Sequence, residues 1–183
     1  MGGFKDKICG IRDKVINEVF PELSPLEIKI GIEEGSDELL GYGELIGGGY
    51  YIDVDTEMKK ATESELYGGM AHELAHIAID ERKNLVTRLI TDTIYSLGAK
   101  YQKKDKRMNP VNRWLNRHVY HRCYGYVTSD ERKTDMLVVE RGAGEKLLAF
   151  LKFHDKHFGK YKPDEGLTVT ELQQILYRGA DKN

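Results

Sequence analysis

From Phe4 through Ile8, Ile11, Val15 and Val19 the apolar residues fall three or four apart, the stripe of an amphipathic helix that Pro21 must stop. Beyond Ser24-Pro25 the period changes to two. Leu26, Ile28, Ile30 and Ile32 alternate like a strand, Glu33 to Ser36 supply a turn, and short glycine-rich strands follow around Tyr42 to Ile46 and Tyr50 to Val54. The pattern predicts a three-stranded antiparallel meander. Gly47-Gly48-Gly49 lacks the partners of a phosphate loop and reads as a turn between strands.

Thr62 followed by Glu65 is a capping-box signature, which predicts a helix from there to about Asp80. A second helical stripe runs over Leu85, Leu89, Ile90, Ile94 and Leu97 to Gly98, and a third helix is expected around Trp114 to Tyr120. Thr128 and Ser129 can cap a helix that runs to Arg141 with Gly142 as its stop. Further helices are expected from Glu145 to His154 and from Thr170 to Tyr177. The fold class is therefore α+β, a small antiparallel sheet followed by a mainly helical C-terminal half. It forms a single domain over 1–183, with 160–183 as a candidate regulatory tail that could fold back over a cleft.

Composition narrows the classes. The 183 residues are 40% hydrophobic and 32% charged with a net charge of −2, which excludes collagen-like, coiled-coil and highly charged disordered chains. No stretch approaches the roughly 20 apolar residues that span a bilayer. The N-terminus has no apolar signal core, and Cys9 and Cys123 read as reduced, buried residues, so the expected location is cytoplasmic.

Residues 72 to 76 spell His-Glu-Leu-Ala-His. On a helix the two histidines lie about 40° apart and roughly 6 Å along the axis, so both imidazoles can grip one metal. Glu73 leans toward the same side, where a carboxylate can activate water for hydrolysis. Leu66, Met70, Leu74, Ile77 and Ala78 gather on the opposite, core-facing side. Gly68 and Gly69 cost about 1 kcal/mol each inside a helix relative to Ala, a cost that makes sense where something approaches closely. A solvated helix whose polar face happens to carry these residues is the competing account.

A catalytic zinc needs a third protein ligand and an open position. His118, His121, Glu131, Glu140, His154 and His157 are the candidates. Glu131 stands out because Asp135 follows at i+4 on the same helix face, one carboxylate able to bind metal and the other to hold an imidazole from behind. His154 and His157, near a helix end, read as exposed and idle.

HELAH at 72–76 with ERKTD at 131–135 resembles the gluzincin metallopeptidases, closest to the HtpX and CAAX-prenyl-endopeptidase branch and its small soluble relatives, the minigluzincins. The resemblance spans about residues 50–150. It implies a zincin-like fold in which His72, His76 and Glu131 bind one zinc, Glu73 is the general base and Asp135 orients His72. The reaction implied is hydrolysis of a peptide or protein substrate, with latency through the C-terminal segment in some relatives. The membrane branch carries transmembrane helices, some of them between the two motifs, and this chain has only the mildly amphipathic helix over 85–97 there, so membrane-protein substrates do not carry over. An extended peptide could add to the strand at Tyr50 to Val54, expected to be an exposed sheet edge. For the oxyanion, His118, Tyr120, His121, Tyr124, Tyr126 and Arg132 are all chemically able.

One segment points elsewhere. Lys100 to Cys123 holds eight basic residues and one acid, a charge of +7, whereas the rest of the chain, 20 basic against 29 acidic, is −9. With Tyr101, Trp114 and Tyr120 interleaved, it could bind nucleic acid or an anionic membrane surface. The main rival function is thus a non-catalytic binding module whose zinc, if any, is closed by a fourth ligand such as His118 or His121. A zinc hydrolase acting on something other than a peptide is a second.

Overall fold

A computed structural model describes residues 2–36, 38–45, 47–101, 109–159 and 166–178. Helix α1 (Gly2–Val19) buries the expected stripe, with Ile8, Ile11 and Val15 in the core, and Pro21 opens a short 3-10 turn after it. Strands β1 (Ile28–Glu33), β2 (Leu40–Glu44) and β3 (Tyr50–Asp55) then build one sheet.

The sheet is not the expected meander. Its order is β1-β3-β2, with β3 parallel to β1 and antiparallel to β2. The strand expected at the exposed edge is therefore central, and β2 forms an edge. Side chains account for the choice. β3 buries Tyr50, Ile52 and Val54, whereas β2 carries Gly41 and Gly43, which weaken a strand and suit an edge. Gly43 lies opposite Tyr51, whose ring occupies the space a Cβ would need. Gly47, Gly48 and Gly49 all adopt positive φ in the β2–β3 connection, so that run is a turn.

Helix α2 (Glu63–Asp80) starts at the complete Thr62–Glu65 capping box: the Glu65 amide donates to the Thr62 hydroxyl and the Thr62 amide donates to the Glu65 carboxylate. Every residue from Leu66 to Ala78 is buried, so the polar side is enclosed and is not a solvated face. Helix α3 (Leu85–Gly98) follows. A continuous helical stretch then runs through α4 (Pro110–Leu115), a π turn (Asn116–Tyr120) and α5 (His121–Glu140). No helix begins at Thr128, because its hydroxyl donates to the Tyr124 carbonyl within α5; the start signal is Asn109, whose side chain caps α4 one residue before Pro110. Gly142, at φ 85°, ends α5 as expected. Helices α6 (Gly144–Phe158) and α7 (Val169–Arg178) complete the chain.

The fold is α+β, and α2 is its axis, with α1, β2, α5 and α6 all packed on it. Gly68 is the reason α6 can come so close, since a Cβ there would collide with the Lys146 backbone carbonyl, and one at Gly69 would press on Phe150 and Leu40 at 3.0 Å. Cys9 and Cys123 are unpaired thiols and half-buried, where full burial was expected. Among the described residues no helix is long and apolar enough to cross a membrane. Residues 102–108, which carry much of the basic segment, lie outside the described residues, as do 160–165 and 179–183 of the tail.

Gly68→Ala should destabilise the fold by about 1–3 kcal/mol through forced separation of α2 and α6. Gly10→Ala on α1, where nothing lies within 4 Å of a new Cβ, should instead be neutral or stabilising by up to about 1 kcal/mol. Chemical denaturation of the two variants measures both, and equal stabilities would refute the close-approach role.

Candidate metal centre

The capped start of α2 sets the phase that turns His72 and His76 toward α5, where Glu131 meets them. His72 Nε2 and His76 Nε2 are 3.1 Å apart, and Glu131 Oε2 lies 3.4 Å from the first and 3.2 Å from the second. All three donor atoms fall in one group able to hold a cation. Zinc bonds of 2.0–2.1 Å at tetrahedral angles put neighbouring donor atoms roughly 3.3 Å apart, so the observed spacing fits an ion of that size without rearrangement.

Groups behind the imidazoles fix which nitrogens face the centre. His72 Nδ1 donates to Asp135 Oδ1 at 2.8 Å, and Asp135 is wholly buried. Thr134 donates its hydroxyl proton to the Asp130 carbonyl at 3.1 Å, which leaves its oxygen to accept from His76 Nδ1 at 3.3 Å. With both Nδ1 atoms so engaged, both Nε2 lone pairs converge on the same point as Glu131. Tyr42 of β2 stacks on the His76 ring, with centroids 4.9 Å apart and planes 12° from parallel, and donates to Asp80 at 2.8 Å. Tyr95 of α3 donates to Asp130 at 3.1 Å. Thr134, Tyr42 and Tyr95 were not singled out from sequence. Thr134 was legible as the residue between the two motif carboxylates, while the tyrosines sit on elements whose approach only the tertiary fold determines.

The electrostatics follow from enclosure. Burial alone would lower the His72 pKa, but hydrogen bonds to Asp135 and Glu131 carry it well above the usual imidazole range. Burial opposes ionisation of Glu131, yet hydrogen bonds to the two histidines hold its carboxyl far below the usual carboxylate range. Glu73 is raised, chiefly by burial, with the histidines pulling the other way. The centre is thus arranged to keep positive charge between the rings.

His72, Glu73, His76 and Glu131 open onto a cavity of about 590 Å³, walled by residues 38–42 on one side and by Tyr95, Phe150 and His154 on the others. His154 is therefore half-buried in the cavity wall, a correction to its expected idle position on an exposed helix end. The other histidines stay away. His118 packs on Trp114 and His121 on Tyr101, and along the helix they lie roughly 20 Å and 15 Å from Glu131. Glu140 is exposed at the far end of α5, and His157 packs on Phe153. Among the described residues no fourth His, Cys, Asp or Glu joins the group, so one side of the centre faces the cavity.

The tail meets this region from behind. The Leu167 amide donates to Asp135 Oδ2 at 2.6 Å, and Arg132 donates to both oxygens of Glu171 and to the Gly166 carbonyl. Thr168 and Glu171 form a second capping box, which starts α7 at Val169. None of residues 166–178 lines the cavity. Arg132 is thus occupied with the tail, and among the six oxyanion candidates none lines the cavity.

No protein-family model, curated protein or solved structure matches the chain.

Asp135→Ala should lower zinc affinity about 10- to 100-fold, read by competition with a chelating dye, because His72 loses the group that holds its tautomer. Unchanged affinity would exclude that role. Glu171 has its carboxyl lowered to about 2 by the Arg132 and Thr168 hydrogen bonds, so its contribution to α7 docking is present above the ordinary glutamate range. That contribution fades as pH falls from about 4.5 toward 2. Nuclear magnetic resonance should show the Thr168 amide shifting over that window in wild type and not in Glu171→Gln.

Proposed function

We propose that this chain is a zincin-like, zinc-dependent endopeptidase. The observation that carries the reading is the convergence of His72 Nε2, His76 Nε2 and Glu131 Oε2 within 3.1–3.4 Å at the wall of a cavity that Glu73 shares. Two imidazoles, one carboxylate and an open side make a donor set that suits a catalytic rather than a closed structural zinc. When bound there, zinc supplies a Lewis acid that activates water and stabilises negative charge on a carbonyl oxygen.

The protein's own residues supply the rest. Glu73 has its proton affinity raised by burial, which brings a carboxylate nearer the range in which a general base works. It takes the proton of the attacking water and hands it to the leaving amine. Asp135 and Thr134 keep both rings oriented through that transfer, and Tyr42 holds the His76 ring in plane by stacking.

The edge position of β2 favours a peptide as substrate. Residues 39–42 border the cavity, and β3 occupies only one side of β2 in the sheet. An extended chain can add to the other side by main-chain hydrogen bonds and lie across Glu73. In this reading the peptide adds to β2 and not to the 50–54 strand, which is central in the sheet. The half-buried, unpaired thiols of Cys9 and Cys123 accord with a reducing, cytoplasmic setting.

Glu73→Gln should retain one zinc per chain and lose at least about 100-fold of its peptide cleavage, since general-base assistance is removed while the ligands stay. A peptide library read by mass spectrometry, with elemental analysis of the same samples, measures both. Comparable cleavage by Glu73→Gln, or cleavage by wild type that survives stripping of the metal, would overturn the reading.

A further inference from the structure

Most of the exposed large aliphatic and aromatic side chains among the described residues lie on α3 and α4. Val86, Leu89 and Ile90 on α3 and Val111 and Trp114 on α4 are each between 55% and 68% exposed, although they belong to types that normally seek the interior. Val86, Leu89 and Ile90 fall at i, i+3 and i+4, and Val111 and Trp114 at i and i+3, so each set shares one side of its helix. Among the described residues, helix α4 has its main contacts with the π turn that continues it. Helix α3 packs on α5 through its other side, where Gly98 abuts the Tyr124 backbone and Tyr95 reaches Asp130.

Charge separates this region from the rest. Among the described residues of 100–123, Lys100, Arg113, Arg117 and Arg122 are basic and none is acidic, and Lys100, Arg117 and Arg122 are exposed. Tyr126 continues the aromatic character along α5, with the Lys133 ammonium 5.8 Å from its ring centre. A surface that mixes exposed Trp, Leu, Ile and Val with exposed Lys and Arg suits a layer that is anionic at its face and apolar just beneath. Nucleic acid would match the charge, but its bases stack on aromatic rings and make no use of Leu89, Ile90 or Val86.

We propose that α3 and α4 form a docking surface for anionic lipid bilayers, with Trp114, Val111, Leu89 and Ile90 entering the headgroup boundary and Lys100, Arg117 and Arg122 meeting the lipid phosphates. The association is peripheral, in keeping with helices too short and polar to span. It is independent of the hydrolytic reading, because no residue of the metal centre takes part.

Sedimentation of the full chain with vesicles of phosphatidylcholine, with and without about one-third phosphatidylserine, tests it. The expected result is binding to the anionic vesicles only, weakened on passing from low to high salt. Leu89→Ser with Trp114→Ser should lower the bound fraction about tenfold, while circular dichroism and zinc content stay as in wild type, since both side chains are exposed. Absence of vesicle binding would overturn the proposal. So would equal binding by the double variant, tight binding to single-stranded or duplex oligonucleotides without vesicle binding, or a self-associated species in sedimentation velocity that the double variant abolishes while vesicle binding persists.

Discussion

The Asp135 carboxylate is the point on which three distant stretches of chain close. It lies on α5, accepts from His72 on α2 and accepts from the Leu167 amide ahead of α7. A carboxyl group with no solvent contact is costly unless its oxygens are matched, and here each oxygen has one strong donor. Removing either partner leaves a buried acceptor bare, so the ring orientation of His72 and the seating of the tail are not independent. The candidate centre is therefore coupled to the C-terminal segment through a side chain that touches no substrate.

A second constraint makes that closure attainable. For α5 to bring Glu131 and Asp135 to α2, the latter must be enclosed along most of its length, which a helix with a full set of side chains would resist. Gly68 removes the obstacle on the α6 side, where the Lys146 carbonyl occupies the space of a missing Cβ. The helix-propensity cost is offset by the packing of Leu147, Phe150 and Leu151 against the core. Stability and site geometry draw on the same contact: the separation of α2 from its neighbours sets both how well the core is filled and how close the three donor atoms stand.

Much of this was legible from local pattern. Period and capping gave α1, α2, α3 and α6 nearly as they are, because each has an apolar stripe or a start signal that local chemistry enforces. The spacing of His72, His76, Glu131 and Asp135 was legible for the same reason, as i+4 pairs on two helices. Strand order was not. Alternation reports which face of a strand is buried and says nothing about its neighbour, so β1 and β3 look the same whether they run parallel or apart. The two glycines of β2 were the overlooked signal for an edge. The start of α5 was misplaced because Thr128 looks like a cap in sequence, while the helix had already begun at Asn109 and absorbed the threonine by bonding its hydroxyl to Tyr124. Tyr42, Tyr95 and His154 came from three different elements, and no one-dimensional pattern brings them to one cavity.

The charge arrangement gives the centre its direction. Glu131, Asp135 and Glu73 surround two imidazoles within a buried region, and the protein answers by raising the proton affinity of His72 while holding Glu131 ionised. A proton and a divalent cation would thus compete for the Nε2 lone pair of His72. Asp135 and Thr134 engage the opposite nitrogens in either state, so the rings need not turn when one occupant replaces the other. Preorganisation of this kind costs nothing at the moment of binding, because folding has already met it through the burial of α2. The arrangement also explains why Glu73 differs from Glu131: burial raises its proton affinity, whereas hydrogen bonds from the imidazoles hold Glu131 ionised. That leaves it a carboxylate at the cavity wall whose proton affinity is raised and not lowered.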